Sequence, residues 1–264
     1  MANLLELRNL RVEFYTQTGR IIGVDDVSLD IAGNEILVLA GESGSGKTVT
    51  ALSLTGILPP NARIVSGRAE FLGRDLFRLE EQSLVKVRGG EISYIFQEPA
   101  SFLNPVYTIG TQIIESIMLH QSQTKSQASG QALELLNLVK IKDPQRVFSS
   151  YPHQLSGGMN QRAFIAMSLA CRPKLLIADE PTTSLDVTVE AQILELLVGL
   201  RKEMGFSMLF ITHNLSIAKK IADRICVMYK GRIEEEGDRE GIFGSPKHFH
   251  TRELIAAYER IGRI

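Results

Sequence analysis

At 264 residues, with 44% hydrophobic residues and a formal net charge of −1, the chain has an ordinary soluble globular composition, enough for one large domain or two small ones. With 29 basic against 30 acidic residues there is no basic excess for nucleic-acid binding, and no apolar run reaches the length of a membrane span. Cys171 and Cys226 form no C-x-x-C pair, and the start Met1-Ala2-Asn3-Leu4-Leu5-Glu6 lacks a signal peptide's charged and apolar regions. A cytosolic protein in a reducing compartment is expected, any membrane role coming through a partner.

Residues 4 to 31 alternate like strands. Leu5 to Arg8 and Leu10 to Phe14 suggest one, Val27 to Ile31 another, with a turn at Gly19-Arg20. Phe14 and Tyr15 end the first strand. Either ring could stack on an adenine, or serve as a strand-end aromatic. Gly33-Asn34 then turns into the apolar run Glu35 to Ala40, read as a buried strand.

Gly41-Glu42-Ser43-Gly44-Ser45-Gly46-Lys47-Thr48 follows at once, and Val49 to Leu54 reads as a helix. This fits G-x-x-x-x-G-K-[ST] in its required order of strand, loop and helix. The glycines let backbone N–H groups turn toward a polyphosphate, and the helix adds its positive end. Lys47 can reach the β- and γ-phosphates, and the Thr48 hydroxyl can ligate Mg²⁺. The plain alternative is a flexible Gly/Ser loop before a helix.

Pro59-Pro60 breaks that helix, and Ser66 to Asp75 looks like short strands of a peripheral hairpin. Ile92 to Phe96 is another apolar strand, ending at Gln97-Glu98-Pro99. Residues 100 to 170 read as mostly helical, with Ile109 to His120 and Gln131 to Val139 separated by a polar loop or solvated helix end at 121–127. Ser156-Gly157-Gly158, opening the helix-like run from Ala163, is a second anion site or a plain N-cap.

Leu175 to Ala178 is an apolar strand delivering Asp179 and Glu180 to its C-terminal edge, where open α/β sheets bind ligands. Asp179 suits Mg²⁺ through a water and Glu180 suits polarising the attacking water; the plain alternative is an ordinary strand end with two solvated acids. Thr183 to Asp186 starts a helix whose Ile193, Leu196, Leu197 and Leu200 share one apolar face. Ser207 to Thr212 is a strand ending at His213, placed to contact a γ-phosphate; a lone histidine is more often structural. Ile225 to Tyr229 and Arg232 to Glu235 flank a Lys230-Gly231 hairpin turn, and a helical tail starts at Gly241. His248 and His250 in that tail read as solvated residues rather than a metal pair.

The ordered set of phosphate loop, Gln97, Leu155 to Gly158, Leu175 to Glu180, Ser184-Leu185-Asp186 and His213 resembles the nucleotide-binding subunit of an ABC transporter over nearly the whole chain. The resemblance implies an α/β P-loop NTPase (RecA-like) core with an N-terminal antiparallel β subdomain and an inserted helical subdomain. The core would be residues 1–99 plus 171–240, the helical subdomain 100–170 and the tail 241–264. It further implies ATP and Mg²⁺ as ligands, Asp179 as the metal residue, Glu180 as the catalytic glutamate and Gln97 as a Mg²⁺-sensing residue. Asp186 takes the D-loop position, His213 that of the switch histidine, and Phe14 matches the adenine-stacking aromatic better than Tyr15. In the family two subunits face head to tail, so Ser156 to Gly158 would contact the γ-phosphate on the partner's loop.

Finer motifs, among them Phe96 to Pro99 with Leu103-Asn104-Pro105, Ala178 to Thr183 and Ser245 to His248, are similar to the peptide/nickel importers. Those pair two different ATPase subunits with two transmembrane permeases and an extracytoplasmic solute-binding protein, on the cytoplasmic face of the membrane. Met159 and Ser184 depart from the common signatures. No cysteine-rich tail precedes Ile264, so no iron–sulfur cluster is expected, and with Gly56-Ile57-Leu58-Pro59 this leans slightly toward the nickel or metal-chelate branch. The other classes weighed are a soluble ABC ATPase acting on DNA or ribosomes, which usually fuses two domains or inserts coiled coils, and a regulatory module with a dead site.

Overall fold

The computed structural model describes residues 3–98, 101–183 and 185–261, and for residues 260 and 261 the backbone alone. Pro99, Ser184, Met1-Ala2 and the end at Ile264, all used in the sequence reading, lie outside the described residues. The chain divides into two compact units, residues 1–84 with 207–264, and residues 85–206.

The first unit opens with β1 (Asn3–Thr16), β2 (Gly19–Ala32), β3 (Ile36–Ala40), α1 (Lys47–Ser53), β4 (Ala62–Phe71) and β5 (Arg74–Asp75). Helix α2 (Glu81–Val87) carries the boundary. The second unit holds β6 (Ile92–Ile95), α3 (Ile109–His120), α4 (Lys125–Leu138), α5 (Pro144–Ser149), α6 (Gly157–Ser168), β7 (Leu175–Asp179) and α7 (Val187–Met204). The chain returns to the first unit with β8 (Ser207–Thr212), α8 (Leu215–Ile221), β9 (Arg224–Tyr229), β10 (Arg232–Asp238), α9 (Arg239–Gly244) and α10 (Phe249–Ile261).

In the first unit an antiparallel sheet runs in the order β2-β1-β4-β5. Leu5, Leu7, Leu10 and Val12 of β1 are fully buried, and the count slips by one between Leu7 and Leu10. The slip is a register shift at Asn9, which sits at φ 50° with its side chain donating to Asp26 (2.7 Å). This irregularity is why β1 reads as two alternating pieces in the sequence. The hairpin within residues 66–75 forms as β4 and β5 at the edge of this sheet, and β4 also pairs with β1 along most of its length.

Strand β3 pairs in parallel with β8 on one side and β9 on the other, and β10 returns antiparallel on β9. Every residue of β3 and β8 is buried, as parallel strands covered on both faces require. In the second unit β6 and β7 pair in parallel and are equally buried. Ser168 of α6 ties this unit's helices to β6, its hydroxyl donating to the Tyr94 carbonyl (2.7 Å).

Helix α4 begins earlier than its polar sequence suggests. Thr124 and Gln127 form a capping box, so Lys125 to Gln127 is helical although solvated. His120 closes α3 against the Gly89-Gly90 turn that leads into β6; a Cβ at Gly89 would stand 3.0 Å from His120 Nε2.

Burial lowers the His120 pKa below its ordinary value. The native state therefore holds the neutral ring, while the unfolded chain binds a proton below about pH 6.5. This contribution to stability is complete above that value and is lost as pH falls through it toward the lowered folded value. We expect His120→Asn to flatten the loss of stability on acidification, read as urea midpoints from about pH 7.5 down to pH 5. An unchanged slope would remove His120 as the titrating group.

Candidate nucleotide site

The phosphate loop leaves the C-terminal edge of β3. Gly41 (φ 156°), Gly44 (φ 78°) and Gly46 (φ 105°) all adopt the left-handed side of backbone space. At two of them there is also no room for a side chain. A Cβ at Gly41 would collide with the Met228 carbonyl oxygen, and one at Gly46 would stand 2.6 Å from the Gly23 carbonyl and 2.8 Å from Met228 Cε. Glycine is thus required twice over, by conformation and by close approach of backbone.

Lys47 is 5% exposed and folds back under the loop. Its ammonium donates to the carbonyls of Gly41 (2.8 Å) and Glu42 (2.7 Å) and to Ser45 Oγ (3.3 Å). Three acceptors around one cation stiffen the loop while keeping the charge at its centre. Ser45 is buried, whereas Glu42, Ser43, Gly44 and Thr48 are exposed, so the Thr48 hydroxyl reaches solvent from the first turn of α1.

His213 comes directly after β8, and Ala40 and Thr212 are opposed in the β3–β8 register. Gly41 and His213 therefore leave the same sheet edge from neighbouring strands, and the His213 side chain is exposed. Asn214 beyond it is held by its N–H to Thr212 Oγ1 (2.9 Å) and caps α8. Phe14 is half-buried and packs over Gly23, where a Cβ would strike the ring, while Tyr15 is 46% exposed. Gly23 thus touches Phe14 on one side and faces Gly46 with its carbonyl on the other.

In the second unit the parallel pairing sets Ile95 opposite Ala178. Phe96-Gln97 and Asp179-Glu180 consequently leave one edge together. Asp179 is 7% exposed; Gln97 is exposed. Glu180 turns into the left-handed region at φ 45°, and its carboxylate accepts from Thr183 Oγ1 (3.0 Å). A glutamate held there is the kind of backbone strain found where a side chain must be aimed.

Ser156 caps α6, its hydroxyl accepting from the Met159 N–H at 3.4 Å, and Ser156 and Gly157 are exposed. Asp186 caps α7 in the same way, from the Val189 N–H (2.9 Å), and Val187 beside it is 82% exposed. Where a Cβ would stand on Gly158, Val189 Cγ1 lies 3.1 Å away. The two helix starts are therefore side by side, and Ser156 to Gly158 and Asp186 share one exposed face of this unit.

Each unit offers donors by itself. In the first, a loop with three left-handed glycines around one central ammonium suits phosphates, and Thr48 beside it is exposed; in the second, the buried strand-end Asp179 is a carboxylate of the kind a hard cation takes. Sequence reasoning missed the residues that hold the loop from behind, Gly23, Met228 and Gly231. The signals were the Lys230-Gly231 turn and a glycine at position 23, which mark a tight turn and close backbone approach but not what they approach.

A family model described as ABC transporter matches residues 24–183. The chain is 53% identical over 255 residues to the peptidoglycan transport ATP-binding protein YejF of Agrobacterium fabrum, covering 96% of this chain and 47% of that one. It is 46% identical over 253 residues to the probable peptide ABC transporter ATP-binding protein y4tR of Sinorhizobium fredii, with coverage of 96% and 76%. It is 47% identical over 268 residues to the glutathione import ATP-binding protein GsiA of Shigella dysenteriae, with coverage of 99% and 43%. The chain spans about half the length of the first and third of these relatives. Among solved structures, the dimeric post-hydrolysis state of the ATP-binding cassette MJ0796 bound to ADP and Pi matches 93% of the chain at a TM-score of 0.79 and 26% identity. The chain belongs to the ABC transporter family.

Proposed function

We propose that the chain is the ATPase of an importer for peptide-type solutes, working as one of a pair of ATPase subunits beneath two permeases. The observation that carries the nucleotide reading is the loop itself, three left-handed glycines wrapped around the Lys47 ammonium. Lys47 serves the β- and γ-phosphates, and the loop residues Gly41 to Gly46 supply their N–H groups. Phe14 stacks the adenine. Thr48 and Asp179 hold Mg²⁺, Asp179 through a water, with Gln97 sensing the ion; when bound, Mg²⁺ neutralises charge on the phosphate oxygens. Glu180 orients the attacking water and His213 contacts the γ-phosphate.

The exposed face carrying Ser156, Gly157 and Asp186 meets a nucleotide held by a second, homologous ATPase subunit. Its exposure on the unit's surface and the dimeric structure of the MJ0796 cassette support this reading. The relatives' names, peptidoglycan, peptide and glutathione, favour a peptide-type solute over a nickel or metal chelate, with an extracytoplasmic binding protein delivering it. No described helix is long and apolar enough to cross a membrane, so membrane attachment at the cytoplasmic face runs through the permeases.

The segment after Gln97 supports permease contact. Phe102 (51% exposed), Val106 (71%) and Tyr107 (50%) stand out from it. It is pinned to α3 by Gln112, which is 8% exposed. The Gln112 amide nitrogen donates to the carbonyls of Asn104 (3.1 Å) and Tyr107 (3.1 Å), and its oxygen accepts from the Asn104 N–H (2.8 Å). The Asn104 side chain in turn accepts from the Val106 N–H (3.1 Å). An apolar surface on a hydrogen-bonded loop suits a docking platform that moves as a unit with α3.

Two measurements test this. In the complex purified from membranes, Glu180→Gln should lower ATP turnover about 10²–10⁴-fold while nucleotide binding stays; turnover within tenfold of wild type would remove Glu180 from its role. Asn104→Ala should abolish solute uptake by vesicles containing the complex while the isolated chain binds ATP as before. Normal uptake and normal assembly would remove the coupling role of this segment.

A further inference from the structure

The phosphate loop is held from behind by a hairpin, and the hairpin is held by the C-terminal helix. Lys230 (φ 44°) and Gly231 (φ 84°) form the two-residue turn between β9 and β10, with Tyr229 opposite Arg232. The Gly231 N–H donates to the Ser45 carbonyl (2.9 Å), and the Gly231 carbonyl accepts from the Asp25 N–H (2.8 Å). The Cβ position of Gly46 lies 3.5 Å from Gly231 Cα. The Asp25 carboxylate also takes Arg232 Nε (2.9 Å) and Arg11 Nη1 (2.9 Å), fixing the turn on β2. A displacement of this turn therefore reaches the loop through one hydrogen bond and one van der Waals contact.

The other face of the hairpin carries Tyr229, and His250 lies flat on it, ring centroids 3.6 Å apart and planes 27° from parallel. Lys230 Nζ stands 5.0 Å over the same tyrosine ring. His250 belongs to the first turn of α10, whose start is fastened to β10: the N–H groups of Lys247 (2.8 Å) and His248 (2.9 Å) both donate to the Glu235 carboxylate. Between α10 and Glu42 of the phosphate loop lies a cavity of about 370 Å³, lined also by Tyr229, His250, Glu253 and Leu254. Beside this cavity, the His250–Tyr229 stack brings α10 against the residue next to the hairpin turn.

We propose that His250 is a positioning residue for the nucleotide: stacked on Tyr229, it holds the Lys230-Gly231 turn against Ser45 and Gly46 and so keeps the phosphate loop in its binding shape. This rests on the reading of the loop as the ATP site. An aromatic pair of this kind shifts an equilibrium by about threefold to tenfold.

The test is titration of the full chain with a fluorescent ATP analogue, alongside thermal melts. His250→Ala should weaken affinity about threefold to tenfold, His250→Leu should weaken it as much while keeping the buried volume, and His250→Phe, which keeps a flat ring, should return it to within about twofold of wild type. In the assembled complex the loss should fall on KM for ATP and leave kcat within about twofold, which a merely folding-related role would not do. Unchanged affinity in both His250→Ala and His250→Leu, or His250→Phe as weak as His250→Leu, overturns the proposal. Lys47→Ala serves as the separate control. If it abolishes binding while the His250 variants bind normally, only this inference falls; if it binds like wild type, the site assignment falls and this inference with it.

Discussion

Everything about the nucleotide loop depends on how closely backbone approaches backbone around Gly46. Its Cβ position is already taken by the Gly23 carbonyl, Met228 and the Gly231 turn, and Gly41 is equally shut in by the Met228 carbonyl. Three segments far apart in the chain, from β2, the β3–α1 loop and the β9–β10 hairpin, therefore meet largely backbone to backbone, with the Met228 methyl reaching the same spot. Such contacts leave little room for adjustment, because interiors are packed at crystal density and a single methyl group would have to displace main chain. The loop can then be stiff, its N–H groups fixed by the frame instead of by the ligand. Lys47 completes it from inside, its ammonium satisfied by the loop's own carbonyls. A buried cation with three acceptors in place is a tolerable arrangement; the same ammonium with none would not be.

The second unit solves a different problem, which is to present polar groups at the end of wholly apolar elements. Strand β7 is buried throughout, and its last residue Asp179 remains largely covered. Glu180 escapes only by entering the left-handed region, where Thr183 holds its carboxylate. A few residues later Asp186 starts α7, and the adjoining start of α6 brings Ser156 and the two glycines to the same exposed face. At Gly158 a Cβ would stand close to Val189, within a few tenths of an ångström of ordinary contact. Stability in this unit comes from the buried strand pair and the helices fastened to it, such as α6 through Ser168. The chemistry sits on the short, strained or capped positions at their ends.

Much of this is legible in the residues. The apolar runs Glu35 to Ala40, Leu175 to Ala178 and Ser207 to Thr212 announce buried parallel strands, because a strand covered on both faces has no reason to alternate. Ile109 to His120 is readable as a helix from its apolar content, and Thr124 with Gln127 spells a capping box that overrides the polar composition of the next turn. Where the reading failed, the cause was non-local. The β1 register shift at Asn9 depends on Asp26 and Ser28 across the sheet, and the Ser66 to Asp75 hairpin forms as read while its pairing with β1 is visible only in the fold.

The sequence by itself determined the chemistry: a lysine in a glycine-rich loop after a buried strand, two carboxylates at another strand's end and a histidine after a third. These are local patterns, each carried within a dozen residues, and local sterics and periodicity are enough to fix them. Only the tertiary structure decided what holds those groups in place. That Gly231 supports Ser45, that Gly23 makes room for both Phe14 and Gly46, and that His250 lies on Tyr229 are contacts between different elements, up to nearly two hundred residues apart in the chain. No spacing rule encodes such contacts, since they arise when separately specified elements are packed together, and packing depends on shape across the whole unit.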